Sequence, residues 1–250
     1  MDNTPILEVK NVSKYFGSVV ANKNVNITVN RGEVLAILGE NGSGKTTLMN
    51  MIAGIYYPDE GSIFVNGKEA DIRSPQDAFK YKIGMVHQHF KLVDIFTAAQ
   101  NIVLGLNDEK YKMKEISSKA YDIAMKYGFE LDPDKKVYNM SVSEKQTVEI
   151  IKVLYRGADL LILDEPTAVL TPQEIDKLFN VVRAMRADGK SILIITHKLN
   201  EVMAISDRVA VLRKGEYITT VNTKETTEQQ LTEMMVGKKV ELKIDRVKTE

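Results

Sequence analysis

Nine consecutive residues carry the densest chemistry in the chain: Gly39, Glu40, Asn41, Gly42, Ser43, Gly44, Lys45, Thr46 and Thr47. They fit the spacing G-x-x-x-x-G-K-[ST]. Glycines at these positions let successive backbone N–H groups converge on one anion with no Cβ in the way. A lysine directly behind them brings a full positive charge. A threonine hydroxyl next to it can ligate a hard divalent cation. Together they suit a chain of phosphates bound with Mg²⁺, that is, a nucleoside triphosphate such as ATP. The bland alternative is a chance glycine-rich turn. The flanks argue against it: Val34 to Leu38 is an apolar run of strand length, and Thr47 to Ala53 is a helix former that stops at Gly54. A helix beginning there adds unpaired N–H groups and a partial positive charge.

A second constellation lies about 120 residues further on. Leu160, Leu161, Ile162 and Leu163 are closed by Asp164 and Glu165. A buried strand can hold Asp164 at its tip beside a phosphate-bound metal, while Glu165 orients an attacking water. Hydrolysis of a triphosphate needs both jobs done. Read alone, the pair is an acidic strand end in solvent; downstream of Lys45 it has work to do. The next apolar run, Ser191 to Ile195, ends in Thr196 and His197, and a histidine there can reach the terminal phosphate or the water. His87 and His89 lack such support and read as non-catalytic. Three histidines, none at ligand spacing, and no cysteine argue against zinc and exclude disulfides.

The elements that must position these groups follow from periodicity. Ile6 to Val12 and Val25 to Val29 alternate as strands, with Lys14 to Gly17 at a turn. Ser62 to Val65 and the residues after Asn66-Gly67 predict a hairpin with a type I′ turn. Ile83 to Gln88 predicts a short strand ending in polar residues. From His89 to Tyr155 the pattern turns helical, over Lys112 to Tyr127 and Val142 to Leu154, with Gly128 to Met140 as a loop. The runs at Leu160 and Ser191 are continuous, as in strands of a parallel sheet covered on both faces, with Pro172 to Ala187 as the crossover helix. Val209 to Arg213 and Glu216 to Val221 predict a last hairpin, and Thr226 to Val236 a last helix. The expected fold is therefore α/β: a P-loop NTPase core, mostly parallel sheet with flanking helices, an antiparallel β layer, and an inserted α-helical subdomain. Residues 5–88 and 156–236 form the core with its β layer, 89–155 the helical insert, and 237–250 a charged tail or linker.

Composition sets the outer bounds. The 250 residues can bury a sizeable core, and 44% hydrophobic with 27% charged residues is ordinary for a globular protein. Lys+Arg 34 against Asp+Glu 34 leaves no basic excess for nucleic acid. No run approaches the length of a spanning helix, and the start lacks signal-peptide order. Any meeting with a membrane is expected to go through another subunit.

In this order and spacing the motifs resemble the nucleotide-binding domains of ABC transporters, over essentially residues 5 to 236. Phe16, ahead of Gly17, matches the aromatic that stacks on adenine, with Tyr15 as its rival. Gln88 matches the glutamine that touches Mg²⁺ and water and joins the core to the helical subdomain. Asp164, Glu165 and His197 match the metal-side aspartate, the catalytic glutamate and the switch histidine. Two matches are imperfect. The signature, typically Leu-Ser-Gly-Gly-Gln, stands as Met140-Ser141-Val142-Ser143-Glu144, so Ser143 brings a Cβ and Glu144 a negative charge. The loop usually reading Ser-Ala-Leu-Asp stands as Ala168-Val169-Leu170-Thr171.

The resemblance implies catalytic Glu165, His197, Gln88 and Lys45. It implies nucleotide contacts from Phe16 and the whole of Gly39 to Thr47, contacts from Ser141 and Ser143 to ATP held by an opposite domain, and Mg²⁺ ligands Thr46, Gln88 and Asp164. The altered segments, with Met85 to Val93, are similar to ATPases of simple-sugar and nucleoside importers. In that subgroup two such domains are usually fused, so this chain corresponds to the first half. The implied partners are a second nucleotide-binding domain (fused half, homodimer or heterodimer), membrane-spanning permease subunits and, indirectly, an extracytoplasmic solute-binding protein, with no nucleic acid. The implied place is peripheral, on the cytoplasmic face of the cell membrane. The altered signature also motivates an alternative, an ATP-binding regulatory module with little hydrolysis. A soluble ABC ATPase of DNA repair or translation is disfavoured by the short insert and balanced charge.

Overall fold

The computed structural model describes residues 4–106 and 112–238. Ten strands lie in the order β5-β4-β1-β2-β10-β9-β3-β8-β7-β6. They are β1 (Leu7–Phe16), β2 (Val19–Val29), β3 (Val34–Leu38), β4 (Glu60–Val65), β5 (Lys68–Glu69), β6 (Ile83–Val86), β7 (Leu160–Asp164), β8 (Ser191–Thr196), β9 (Arg208–Arg213) and β10 (Glu216–Asn222). Strands β9, β3, β8, β7 and β6 run parallel to one another, and β10 pairs antiparallel with β9. β1, β2, β4 and β5 pair antiparallel and join the rest through one parallel bridge between Glu216 and Lys23.

Alternation explains the continuous apolar runs. Leu35, Ile37, Leu160, Ile162, Leu193 and Ile195 face one buried cluster. Val34, Leu161, Leu163, Ile192 and Ile194 face another on the opposite side. Neither face of β3, β7 or β8 meets water, so neither keeps polar residues.

The helices are α1 (Lys45–Ile52), α2 (Pro75–Lys80), α3 (Ala98–Val103), α4 (Met113–Tyr127), α5 (Val142–Tyr155), α6 (Pro172–Ala187), α7 (Leu199–Ile205) and α8 (Glu228–Val236). Ser74, Thr97, Ser141, Thr171 and Thr227 each cap a helix by accepting a backbone N–H. This satisfies groups the first turn leaves unpaired. Asn66 and Gly67 both have positive φ, as the type I′ turn requires.

Several details differ from the sequence reading. β1 continues through Tyr15 and Phe16 instead of turning at Lys14, because Tyr15 pairs with Val20 and Phe16 with Val19. α1 starts at Lys45, two residues early, since Gly44 already takes the left-handed conformation at the N-cap. The strand ending at Gln88 stops at Val86. Short helices α2 and α7 have too few turns to show periodicity and were not anticipated. The tail assigned to 237–250 lies almost wholly outside the described residues.

Helices α3, α4 and α5 enter between β6 and β7 and share one buried cluster with α6 and the sheet. α5 reaches the sheet at Gly84 of β6, where a Cβ would run into the Val153 side chain. Gly84→Ala should therefore destabilise the protein by about 1–3 kcal/mol. Val153→Ala in the same chain should recover part of that loss. Urea unfolding of the wild type, both single variants and the double variant measures the coupling; strictly additive effects would show that the two positions do not meet.

Candidate functional site

β3 sits centrally between β9 and β8, with every residue buried, and delivers the chain to Gly39. The loop then closes on itself. The Lys45 ammonium donates to the carbonyls of Gly39 at 2.7 Å and Glu40 at 2.9 Å. Burial pushes the Lys45 pKa down, while Glu165 and then Asp164 pull it back up. Neighbouring strands brace the loop from outside. The Asn22 side-chain amide donates to the Gly44 carbonyl at 3.2 Å, and the Gly215 amide to the Ser43 carbonyl at 3.1 Å. A side chain at Gly44 would collide with Ala21 and Asn22, so only glycine lets β2 pass this close. The Ser43 hydroxyl is buried with no hydrogen-bond partner among the described residues.

The acidic pair reaches the same place because β7 and β8 are in parallel register, with Asp164 opposite Ile195. The Asp164 carboxyl is pushed up, first by burial and then by the charge of Glu165, against the opposing charges of Lys45 and His89. Glu165 has a φ of +43°, strained for a residue with a side chain. Its amide is nonetheless held, donating to the Ile195 carbonyl at 3.0 Å. Its Oε1 lies 3.0 Å from His197 Nδ1.

Together these elements line one open cleft of about 470 Å³, with walls from Val19, Val20, Ala21, Asn41, Gly42, Gly44, Lys45, Thr46, Thr47, Gln88, Glu165 and His197. Loop, glutamine, glutamate and histidine are thus brought together. Asp164 stands just behind, close enough in charge to be felt by Lys45. Among the described residues, no group of three or more His, Asp or Glu side chains could hold a metal alone. A metal here would need phosphate oxygens as co-ligands, which suits Mg²⁺ and its preference for substrate phosphates. The convergent amides, the orphaned Ser43 hydroxyl, the Thr46 hydroxyl and Lys45 fit a polyphosphate.

Three of the expected contact residues lie outside this cleft. Phe16 does not line the cleft: it stacks edge-on against Tyr56, ring centroids 5.2 Å apart, beside the Val19 and Val20 that do. Its rival Tyr15 donates its hydroxyl to Glu60. Ser141 and Ser143 also stand apart, on a separate groove with Phe129, Glu130 and Lys177. Ser141 caps α5, and Glu144 closes a capping box by accepting the Ser141 amide at 2.7 Å. Lys135 pairs with Glu144 at 2.6 Å and holds its pKa below the usual glutamate range, with the Ser141 amide adding to the effect. The charge that Glu144 brings is therefore largely spent within its own chain. Of the unsupported histidines, burial and then Lys91 and Lys152 push the His87 pKa down, and the charge of His89 is felt by Asp164.

Several positioning residues were missed. Glu149 of α5, 3% exposed, accepts the Lys91 amide at 2.6 Å. Asn101 of α3 accepts the Val93 amide and donates to the Val93 and Thr97 carbonyls. Between them they grip the segment that follows Gln88. Gln146 donates to the Pro166 carbonyl at 2.7 Å, holding the turn after Glu165. A signal did exist: Gln146 stands four residues before Ile150 and Glu149 four before Val153, on the apolar face of their helix.

The sequence profile of the ABC transporter family matches residues 22–168. The chain is 47% identical to the nucleoside import ATP-binding protein NupA of Lactococcus lactis, over 96% of this chain and 48% of that protein. It is also 47% identical to the guanosine import ATP-binding protein NupO of Bacillus subtilis, with the same coverage. It spans about half the length of the curated relatives it matches. Among solved structures, an ATP-binding cassette of an ABC transporter in its ADP conformation superposes with a TM-score of 0.83 at 28% identity, covering 94% of this chain and 99% of that one. Clostridium perfringens cbiO1, part of the ABC transporter complex cbiONQ, gives 0.79 at 31%, covering 92% and 93%.

The Glu144 box carries a pH signature. A carboxyl whose pKa is lower folded than unfolded stabilises the fold above its unfolded value, and that contribution is lost as pH falls through the folded one. The stability gap between wild type and Glu144→Gln should be present at pH 7 and close towards pH 3, as read by urea unfolding at each pH. Since the Glu144 side chain is 39% exposed and screened by solvent, the gap should stay under about 1 kcal/mol.

Proposed function

Because the chain belongs to the ABC transporter family, we propose that it is the ATP-binding and ATP-hydrolysing part of an importer for a small solute, a nucleoside or simple sugar. The observation that carries this reading is the convergence of Lys45, Gln88 and the Glu165–His197 pair on one cleft. The nucleoside and sugar classes rest on the relatives and on the resemblance of Ser141 to Glu144 and Ala168 to Thr171 to that subgroup.

The chemistry follows from the residues in place. Amides of Gly39 to Thr47 and the Lys45 ammonium grip the phosphates, and the hydroxyls of Ser43, Thr46 and Thr47 complete the cradle. Thr46, Gln88 and Asp164 are the residues that would hold Mg²⁺, which supplies positive charge to the transferring phosphoryl group. Lys45 would leave its loop carbonyls for phosphate oxygens, which are stronger acceptors. Glu165 orients a water and takes its proton, and His197, hydrogen-bonded to it, fixes where that carboxylate points. Phe16, one hairpin turn from Val19, would supply the face on which adenine stacks.

We place Ser141 and Ser143 in a composite site, serving ATP held by a second nucleotide-binding domain. That reading requires them to stand apart from their own cleft. The engagement of Glu144 by its cap and Lys135 favours the hydrolytic reading over a silent regulatory module, since it reduces the repulsion that Glu144 would bring to a partner's nucleotide. We take residues 5–236 as one domain, with 89–155 as its helical subdomain. Among the described residues, no helix is long and apolar enough to cross a membrane. Permease subunits would provide the spanning part and a solute-binding protein the specificity, with this chain peripheral on the cytoplasmic face.

Lys45→Ala should lose most Mg·ATP affinity in an isothermal titration; unaltered affinity would contradict the cradle. Glu165→Gln should keep ATP bound while turnover falls by about 100-fold or more. Steady phosphate release by that variant would remove Glu165 from its role.

A further inference from the structure

We propose that Glu201, a buried carboxylate outside the cleft, is a positioning residue that fixes Glu165 and His197 relative to one another; the inference rests on the hydrolytic reading above. Glu201 lies in the first turn of α7 and is 4% exposed. Its Oε2 accepts from the Thr167 hydroxyl at 2.6 Å and from the Thr196 hydroxyl at 3.2 Å. Its Oε1 is 2.9 Å from the Lys198 ammonium. Lys198 also donates to the Thr167 carbonyl and hydroxyl, both at 3.3 Å, and its amide donates to the Thr196 hydroxyl at 3.1 Å.

The placement gives this cluster its meaning. Thr167 stands two residues beyond Glu165, and Thr196 and Lys198 flank His197. One carboxylate therefore ties the turn that carries the glutamate to the strand end that carries the histidine. A buried carboxylate is costly to hold unless it is paired and hydrogen-bonded. α7 could have avoided the cost with an apolar residue, as at Val202 and Ile205 in the same helix. What Glu201 secures is a distance. Glu165 occupies a left-handed backbone conformation, which persists only where its surroundings over-determine it. The Ala168 amide on the Glu165 carbonyl at 3.1 Å, Gln146 on Pro166 and the Glu201 clasp supply that restraint from three sides. Neither Glu201 nor Thr167 lines the cleft. Loosening the clasp should thus let the Glu165–His197 contact drift while the phosphate cradle stays intact.

The test separates rate from affinity in the intact protein. Thr167→Val removes one hydroxyl at nearly constant volume, so it tests the clasp even if Glu201→Ala fails to fold. Glu201→Gln keeps an acceptor but loses the charge. We expect kcat for Mg·ATP to fall by about 10- to 100-fold in Thr167→Val and Glu201→Ala, with Glu201→Gln recovering part of the loss. Mg·ATP affinity should stay within about twofold of wild type throughout. Wild-type kcat in folded Thr167→Val and Glu201→Gln would overturn the proposal. So would affinity falling in step with kcat, which marks a merely structural role. Glu165→Gln serves as the control. If it retains turnover, the hydrolytic reading fails and takes this proposal with it. If it loses turnover while Thr167→Val does not, only the clasp is refuted.

Discussion

The parallel register of three buried strands is the constraint on which the site depends. Leu38 of β3 lies opposite Thr196 of β8, and Asp164 of β7 opposite Ile195. This ladder sets three chain ends level at one edge of the sheet: the phosphate loop, the acidic pair and the histidine. None of these groups could find the others through its own sequence neighbourhood. Ligands of open α/β sheets bind at the carboxyl ends of strands for this reason, because the register delivers side chains from distant segments to a common crevice.

A register in the core secures only the strand ends. The groups just beyond them sit on turns, and here the structure uses buried polar side chains. Asn22 braces the phosphate loop, Glu149 and Asn101 grip the segment after Gln88, and Gln146 and Glu201 hold the turn that carries Glu165. Each makes at least one hydrogen bond to a backbone group or hydroxyl of the segment it holds. Such contacts are directional where apolar packing is not, so they fix orientation as well as position. The site is thus built in two layers, a nonpolar one that brings segments near and a polar one that aims them.

The altered signature illustrates how local context changes a residue's meaning. Glu144, read as a letter, is a negative charge at a position facing a partner's nucleotide. In the fold it completes a capping box and pairs with Lys135 across nine positions of sequence. Ser141 serves as the cap within this chain alone. A helix N-terminus needs its first amides satisfied, and this one meets that need with Ser141, which keeps the usual pattern, and Glu144, which departs from it.

The sequence alone determined the chemistry and the architecture around it. The glycine spacing ahead of Lys45 has few other physical uses. The apolar runs at Val34, Leu160 and Ser191 could hardly be anything but strands covered on both faces, since no polar residue interrupts them. Hairpins and long helices were legible for the same local reason, in turn residues and periodicity. What only the tertiary structure decided depends on contacts between residues far apart in the chain. It extended β1 through Phe16, because pairing with Val19 outweighed the turn suggested by Lys14 to Gly17. It turned Phe16 onto Tyr56, set Glu165 beside His197, and gave the buried Glu201 and Glu149 their hydrogen-bond donors. Periodicity reports which face of an element is apolar; it cannot report which distant donor will meet a carboxylate once that face is packed.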